Sequence, residues 1–167
     1  MEESGEPSEW VGWPVLLHSA RTAVAALASL LVARLFRLPE AYWAPITTLV
    51  ITQSSLGAAL AVSWQRFAGT ALGAVVGAIA ASYLKPHALV FACSVLFLGL
   101  ICGLLRSDQA SYRFGAITLA IVMLVPRAGP AWQIAFHRFA EVSIGITVAV
   151  VLTVAWTERE VALPSKT

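Results

Sequence analysis

From Ala41 to Gln65, from Phe67 to Leu84 and from Pro86 to Leu105 the chain carries no aspartate, glutamate, lysine or arginine. Uncharged, apolar runs of that length restrict the fold more than any other feature, because something other than water has to cover them. The chain has 167 residues, 59% hydrophobic and 12% charged, with a mean hydropathy of +0.80; ordinary soluble domains hold about 25% charged residues. A soluble domain of about 150 residues leaves roughly a third of its chain surface in water, and too few polar groups are present here to face it. Lipid is the solvent that fits. Helices are then the open-chain solution, since backbone polar groups find no water in the bilayer core.

Charge, proline and polar clusters divide the chain into six predicted spans, at about 15 to 35, 43 to 63, 66 to 84, 88 to 105, 112 to 126 and 134 to 156. Most reach the roughly 17 to 25 residues needed to cross hydrocarbon. All six tryptophans and all three tyrosines fall at or near the ends of these spans, where rings with a polar tip prefer the headgroup region. The expected organisation is an all-α polytopic membrane protein: an acidic tail over 1–14, a six-helix domain over 15–156 and a short polar tail over 157–167. The first ten residues, "MEESGEPSEW", lack the basic region of a secretory signal and read as an uncleaved, solvated tail. Lys and Arg divide six against five between the two sides, which favours both termini in the cytoplasm by one charge.

A net charge of +2 with scattered basic residues gives no basic stripe, so no nucleic-acid partner is expected. Cys93 and Cys102 read as small apolar fillers. No serine has a histidine and an acid in plausible reach, no phosphate-cradling loop occurs, and His18, His87 and His137 are far from metal-ligand spacing. No catalytic residue, metal or cofactor is expected.

"RFAGTALGAVV" from Arg66 and "RFAEVSIGITV" from Arg138 share Arg-Phe-Ala and a glycine seven residues after the arginine, Gly73 and Gly145. The offset is 138 − 66 = 72, and it carries the first three predicted spans onto the last three. The chain therefore reads as two three-helix halves. A three-helix unit ends on the side opposite its start, so tandem copies are expected to be inverted, as in many secondary transporters.

The stretch "YWAPITTLVITQSSLGAALAVSWQRFAGTALGAVVGAIAA" resembles the fusaric acid resistance and aromatic acid exporter superfamily. The likeness is carried by Tyr42, Trp43 and Ala44, by Gln53, Ser54 and Ser55, and by Arg66, Gly69, Thr70 and Gly73. Arg138, Glu141 and Gly145 are similar to the family's closing helix. The resemblance extends from about Arg21 to Trp156 and implies an inner-membrane exporter of aromatic carboxylates or similar organic anions, distantly related to plant malate-type anion channels. Typical members carry a large cytoplasmic domain after the six helices, whereas this chain ends soon after "WTEREVALPSKT"; a homodimer or higher homo-oligomer in the bilayer is the corresponding expectation.

The residues themselves suggest roles. Gly69, Gly73, Gly77 and Ala81 recur every fourth position and form one ridge along a helix, the surface by which helices approach closely in lipid. Arg66, expected at the head of that ridge, either snorkels to lipid phosphate or offers its rigid fork to a substrate carboxylate. Arg138 and Glu141, three apart, share a face. They make an interfacial ion pair, or Glu141 with His137 carries a coupling proton. The second and fifth spans are weak membrane helices, and "TQSS", which holds Gln53 and Ser54, is the better candidate for a break that exposes backbone to substrate. Arg66, Arg138, Gln53, Ser54 and Thr70 are thus the candidate substrate contacts, with Gly145 a packing position. Export of organic anions is the leading expectation; an oligomeric anion channel and a non-transporting module that docks a partner protein are the alternatives.

Overall fold

The structure, a computed structural model, describes residues 13–52, 55–84, 87–126 and 129–161. Among the described residues it is all helix: α1 (Trp13–Leu35), α2 (Trp43–Ile51), α3 (Leu56–Tyr83), α4 (Ala88–Leu104), α5 (Gln109–Leu124) and α6 (Ala131–Val161). Residues 1–12 and 162–167, and with them most of the two expected tails, lie outside the described residues. The sixth helix continues past the expected limit at 156 as far as Val161.

Three helices are long and apolar enough to cross a bilayer: Val15–Leu35, Leu56–Tyr83 and Ala131–Trp156. α4 and α5, at 17 and 16 residues, stand near the lower limit for a span. α2 has only nine residues, about 14 Å at 1.5 Å per residue, less than half of a hydrocarbon core about 30 Å thick.

The boundary between the second and third spans differs from the sequence expectation. α2 stops at Thr52, whose ψ of 103° leaves the helical region. α3 begins at once behind Ser55, whose side chain accepts a hydrogen bond from the Ala58 N–H at 3.3 Å. That serine cap moves the start of the third helix from the expected residue 66 back to Leu56. Hydropathy did not register the break, because "LGAALAVSW" is apolar enough to belong to either neighbour. α2 ends at Ile51 and α3 starts at Leu56, on either side of the polar stretch where a break was expected; Gln53 and Ser54 themselves lie outside the described residues. Trp64, expected at a span end, becomes the ninth residue of the 28-residue α3 and is 69% exposed.

α3 and α6 form the central pair. Ala59 packs beside Ala149 at one end of their crossing and Ala74 beside Ala135 at the other, so the two run antiparallel. Midway, the rings of Phe67 and Phe139 meet with centroids 5.0 Å apart. The remaining contacts come in pairs that exchange when the first three helices are swapped with the last three. α1 meets α2 and α4 meets α5; α1 meets α6 and α4 meets α3; α2 packs on α6 and α5 packs on α3. Even the helix ends match. α1 closes with the Leu38 N–H on the Ala33 carbonyl and the Arg37 N–H on that of Arg34, and α4 closes with Ser107 on Cys102 and Arg106 on Gly103. Arg37 and Arg106 both sit in the left-handed region, at φ 53° and 51°, as this helix-ending motif requires.

Large apolar side chains point outward all around the bundle, among them Leu31, Phe97, Leu100, Leu104 and Phe136. Contiguous exposed apolar surface of this kind suits lipid contact. Arg21 donates to the Thr153 carbonyl at 3.4 Å and lies 5.8 Å from the Trp156 ring, which puts the start of α1 and the end of α6 at the same end of the bundle. Cys93 and Cys102 are both free.

Candidate functional site: a buried pair of arginines

The glycine ridge of α3 faces α5. A Cβ added at Gly69 would collide with the Ser111 carbonyl oxygen, one at Gly73 with the Gly115 carbonyl oxygen, and one at Gly77 would press on Val122. On the other side of the bundle, a Cβ at Gly145 of α6 would stand 2.5 Å from the Ala44 carbonyl oxygen and 2.6 Å from Thr47 Cβ of α2. The expected packing role of Gly69, Gly73, Gly77 and Gly145 thus acquires specific partners: α5 for the first three and α2 for the last.

This close approach sets the two arginines. Arg66 is not at a helix head. It is the eleventh residue of α3 and only 7% exposed, so it does not snorkel to a headgroup; the serine cap at residue 55 puts nearly three turns of helix in front of it. Its Nε donates to Thr47 Oγ1 of α2 at 3.2 Å, and its guanidinium lies 4.8 Å from the centre of the Phe114 ring of α5. Arg138, 2% exposed on α6, stacks its guanidinium 3.7 Å from the Trp43 ring centre. Trp43 and Thr47 are one helical turn apart on α2, so both guanidinium groups converge on the same short helix.

The expected pairing of Arg138 with Glu141 is present, with Nη1 and Oε2 3.6 Å apart and both side chains buried. Glu141 Oε1 also accepts the Glu40 backbone N–H at 3.1 Å, and the Glu40 carboxylate accepts the Trp43 indole N–H at 2.9 Å. The turn before α2 is thereby tied to α6 through a charged cluster. A cavity of about 150 Å³ opens onto this cluster, lined by Pro39, Glu40, Gln133, His137, Arg138 and Glu141. His137 therefore shares a cavity with the buried carboxylate. Thr70 is buried one turn beyond Arg66 on α3, whereas Gln53 and Ser54 lie outside the described residues. Among the described residues no cluster of histidine, cysteine and acidic groups could hold a metal.

Sequence reasoning missed Thr47, Phe114 and Glu40. A signal for two of them was present: "WAPITTLVI" at 43–51 and "FGAITLAIV" at 114–122 share Ile-Thr at an offset of 71. That register pairs Trp43 with Phe114, Ala44 with Gly115 and Thr47 with Thr118. Of these, Trp43 and Phe114 meet the arginine of the opposite half, and Ala44, Thr47 and Gly115 meet its glycines.

Helices too apolar for water, packed backbone to backbone through glycine around buried guanidinium groups, define a polytopic membrane protein with a charged site inside it. The chain belongs to the fusaric acid resistance protein-like family, whose model matches residues 25–152, a transporter-type family and not an enzyme family. It is 31% identical over 154 residues to the inner membrane protein YeeA of Escherichia coli K12, an alignment covering 86% of this chain and 42% of YeeA. It is 28% identical over 138 residues to the uncharacterized transporter YdhK of the same strain, covering 77% of this chain and 21% of YdhK. The chain thus spans less than half the length of these relatives. No solved structure matches it.

Proposed function

We propose that this chain forms a membrane-embedded transport unit of the bacterial inner membrane that exports organic anions, aromatic carboxylates foremost. The observation that carries the reading is the convergence of two buried guanidinium groups on α2. Cations are costly inside a membrane and are retained for a task, and a guanidinium suits a carboxylate through two parallel hydrogen bonds. The anion passes Arg66 and Arg138, with Thr70, Gln53 and Ser54 as further contacts. Glu141 exchanges a proton through the cavity it shares with His137, which couples export to the proton gradient. The exchangeable contacts of the two halves and the antiparallel α3 and α6 support an inverted repeat. The six-to-five charge bias supports termini in the cytoplasm, and the unit works as a homodimer or higher homo-oligomer.

The test is efflux of benzoate from liposomes holding the purified protein under an imposed pH gradient. Arg66→Ala or Arg138→Ala abolishes efflux at unchanged protein level, and Glu141→Gln uncouples it from the gradient. Unchanged efflux in both arginine variants sinks the site assignment. Gradient-independent conduction by the parent protein would replace the exporter with a channel.

A further inference from the structure

The two outer helices, α1 and α4, are fixed to their long neighbours in different ways. They close in the same turn, with Arg37 and Arg106 at matching places, so α1 aligns with α4 at 106 − 37 = 69. α6 aligns with α3 at the offset of 72 that relates Arg138 to Arg66. At these registers the crevice between α1 and α6 corresponds to the one between α4 and α3. The first crevice is bridged: Arg21 donates to the Thr153 carbonyl at 3.4 Å and lies 5.8 Å from the Trp156 ring. The second has smaller, apolar residues at the same places, Val90 for Arg21, Leu84 for Trp156 and Ala80 for Leu152. A groove of about 390 Å³ is left there, with Val76, Ala80 and Leu84 on one wall and Val90, Ser94 and Phe97 on the other. The Ser94 hydroxyl is spent on the Val90 carbonyl at 2.8 Å, so the groove suits an apolar occupant.

Shape and charge narrow the occupant further. The walls follow α3 and α4 for about 10 to 12 Å at 1.5 Å per residue, so the groove runs along the helices rather than across them. α3 and α4 touch at its floor, where Val76 packs against the cluster of Leu98, Cys102 and Leu119. A third helix, about 10 to 12 Å across, does not enter a cleft between two touching helices, whereas a hydrocarbon chain does. The groove ends beside Tyr83, which is 84% exposed, and His87, also exposed; a tyrosine at a helix end marks the headgroup level. The charge there has one sign: the connection from α3 to α4 carries Lys85 and His87 in its sequence, and no aspartate or glutamate occurs between Glu40 and Asp108. α4 starts behind His87 without a side-chain cap, which leaves its first N–H groups toward that same end.

We propose that this groove holds one acyl chain of an anionic phospholipid, with the phosphate over the start of α4. The lipid does for α4 what Arg21 and Trp156 do for α1: it fastens the outer helix to its long neighbour. The inference needs the chain to lie in a membrane and is independent of what the chain transports.

The experiment compares the parent with a variant that carries the residues of the other crevice, Leu84→Trp with Val90→Arg, at an exposed and a half-buried position. After extraction in mild detergent, native mass spectrometry counts retained phospholipid, and thermal melting is followed as phosphatidylglycerol or phosphatidylcholine is added back. The parent retains one phospholipid per chain and melts at a higher temperature when phosphatidylglycerol is added. It prefers phosphatidylglycerol to phosphatidylcholine by at least about fivefold, the scale of one basic group at an anionic headgroup. The filled variant retains none, and its melting is indifferent to either lipid. No retained lipid in the parent, equal retention of the two lipids, or an undiminished response in the filled variant overturns the proposal. An equal rise in melting temperature with inorganic phosphate alone overturns it too, since the acyl chain would then contribute nothing. So does loss of a dimer in the filled variant with lipid retention unchanged, which would make the groove a seat for a second copy. Where the double variant does not fold, Ala80→Leu takes its place against the same measurements.

Discussion

The half of the molecule where α5 packs on α3 and the half where α2 packs on α6 are built to one plan and finished differently. Each brings a short helix against a long one through glycine, and each lays a guanidinium on an aromatic ring of the short helix. Among the described residues, the second carries an acid beside its arginine, Glu141, and a cavity that opens onto the pair, and no carboxylate pairs with the arginine of the first. The shared plan is what packing requires; the one-sided acid is what chemistry adds. Where two halves are otherwise interchangeable, a single departure from the repeat points to function more directly than any residue taken alone.

The shared plan breaks most readily at the glycines. Gly73→Val and Gly145→Val each drive a side chain into an opposing backbone carbonyl oxygen, of Gly115 and Ala44 respectively, where no flexible group can move aside. Overpacking of this kind costs about 3 kcal/mol or more, so both variants should lose most of their folded yield in detergent. Ready tolerance of one and not the other would show that the two interfaces are not equivalent.

The difference between the halves is sharpened by their charges. Glu141→Ala leaves Arg138 buried without that carboxylate and should cost about 3 to 5 kcal/mol in denaturant unfolding. Arg66→Met strands no charge in the other half, since no carboxylate pairs with Arg66 among the described residues, and should stay within about 1 kcal/mol of the parent. Equal losses in the two variants would mean that Arg66 has a structural anion of its own.

The smallest effect tests the helix ends. Arg37→Gly and Arg106→Gly each relieve a left-handed residue and should raise the melting temperature alike, by an amount equivalent to about 0.5 to 1 kcal/mol. A gain at one site only would mean that the other arginine side chain holds a contact worth as much as the relief.

The two buried arginines and the glycines that follow them were legible in the sequence, because "RFAGTALG" and "RFAEVSIG" keep both at one offset. The change of helix near "TQSS" was legible for a similar reason: four consecutive polar residues are poor company for lipid, and a serine among them, Ser55, is a good cap. The place of Arg66 was not. Hydropathy locates where apolar runs stop but not where one helix hands over to the next inside an apolar stretch, and here the hand-over rests on one serine hydroxyl accepting one backbone N–H. A ten-residue shift in that boundary turned an expected surface anchor into a buried charge.

The sequence by itself determined that the chain lives in lipid, that it is helical, that Arg-Phe-Ala and a following glycine recur at an offset of 72, and which ionisable residues lie within its apolar part. These follow from composition and period, which are local properties. That Arg66 meets Thr47 and Phe114, that Arg138 lies on Trp43, and that Glu141 answers one arginine and not the other were decided by the tertiary structure. Those contacts depend on which faces the antiparallel α3 and α6 turn toward the two short helices, and the glycines that fix those faces do so only when a specific backbone is there to meet them.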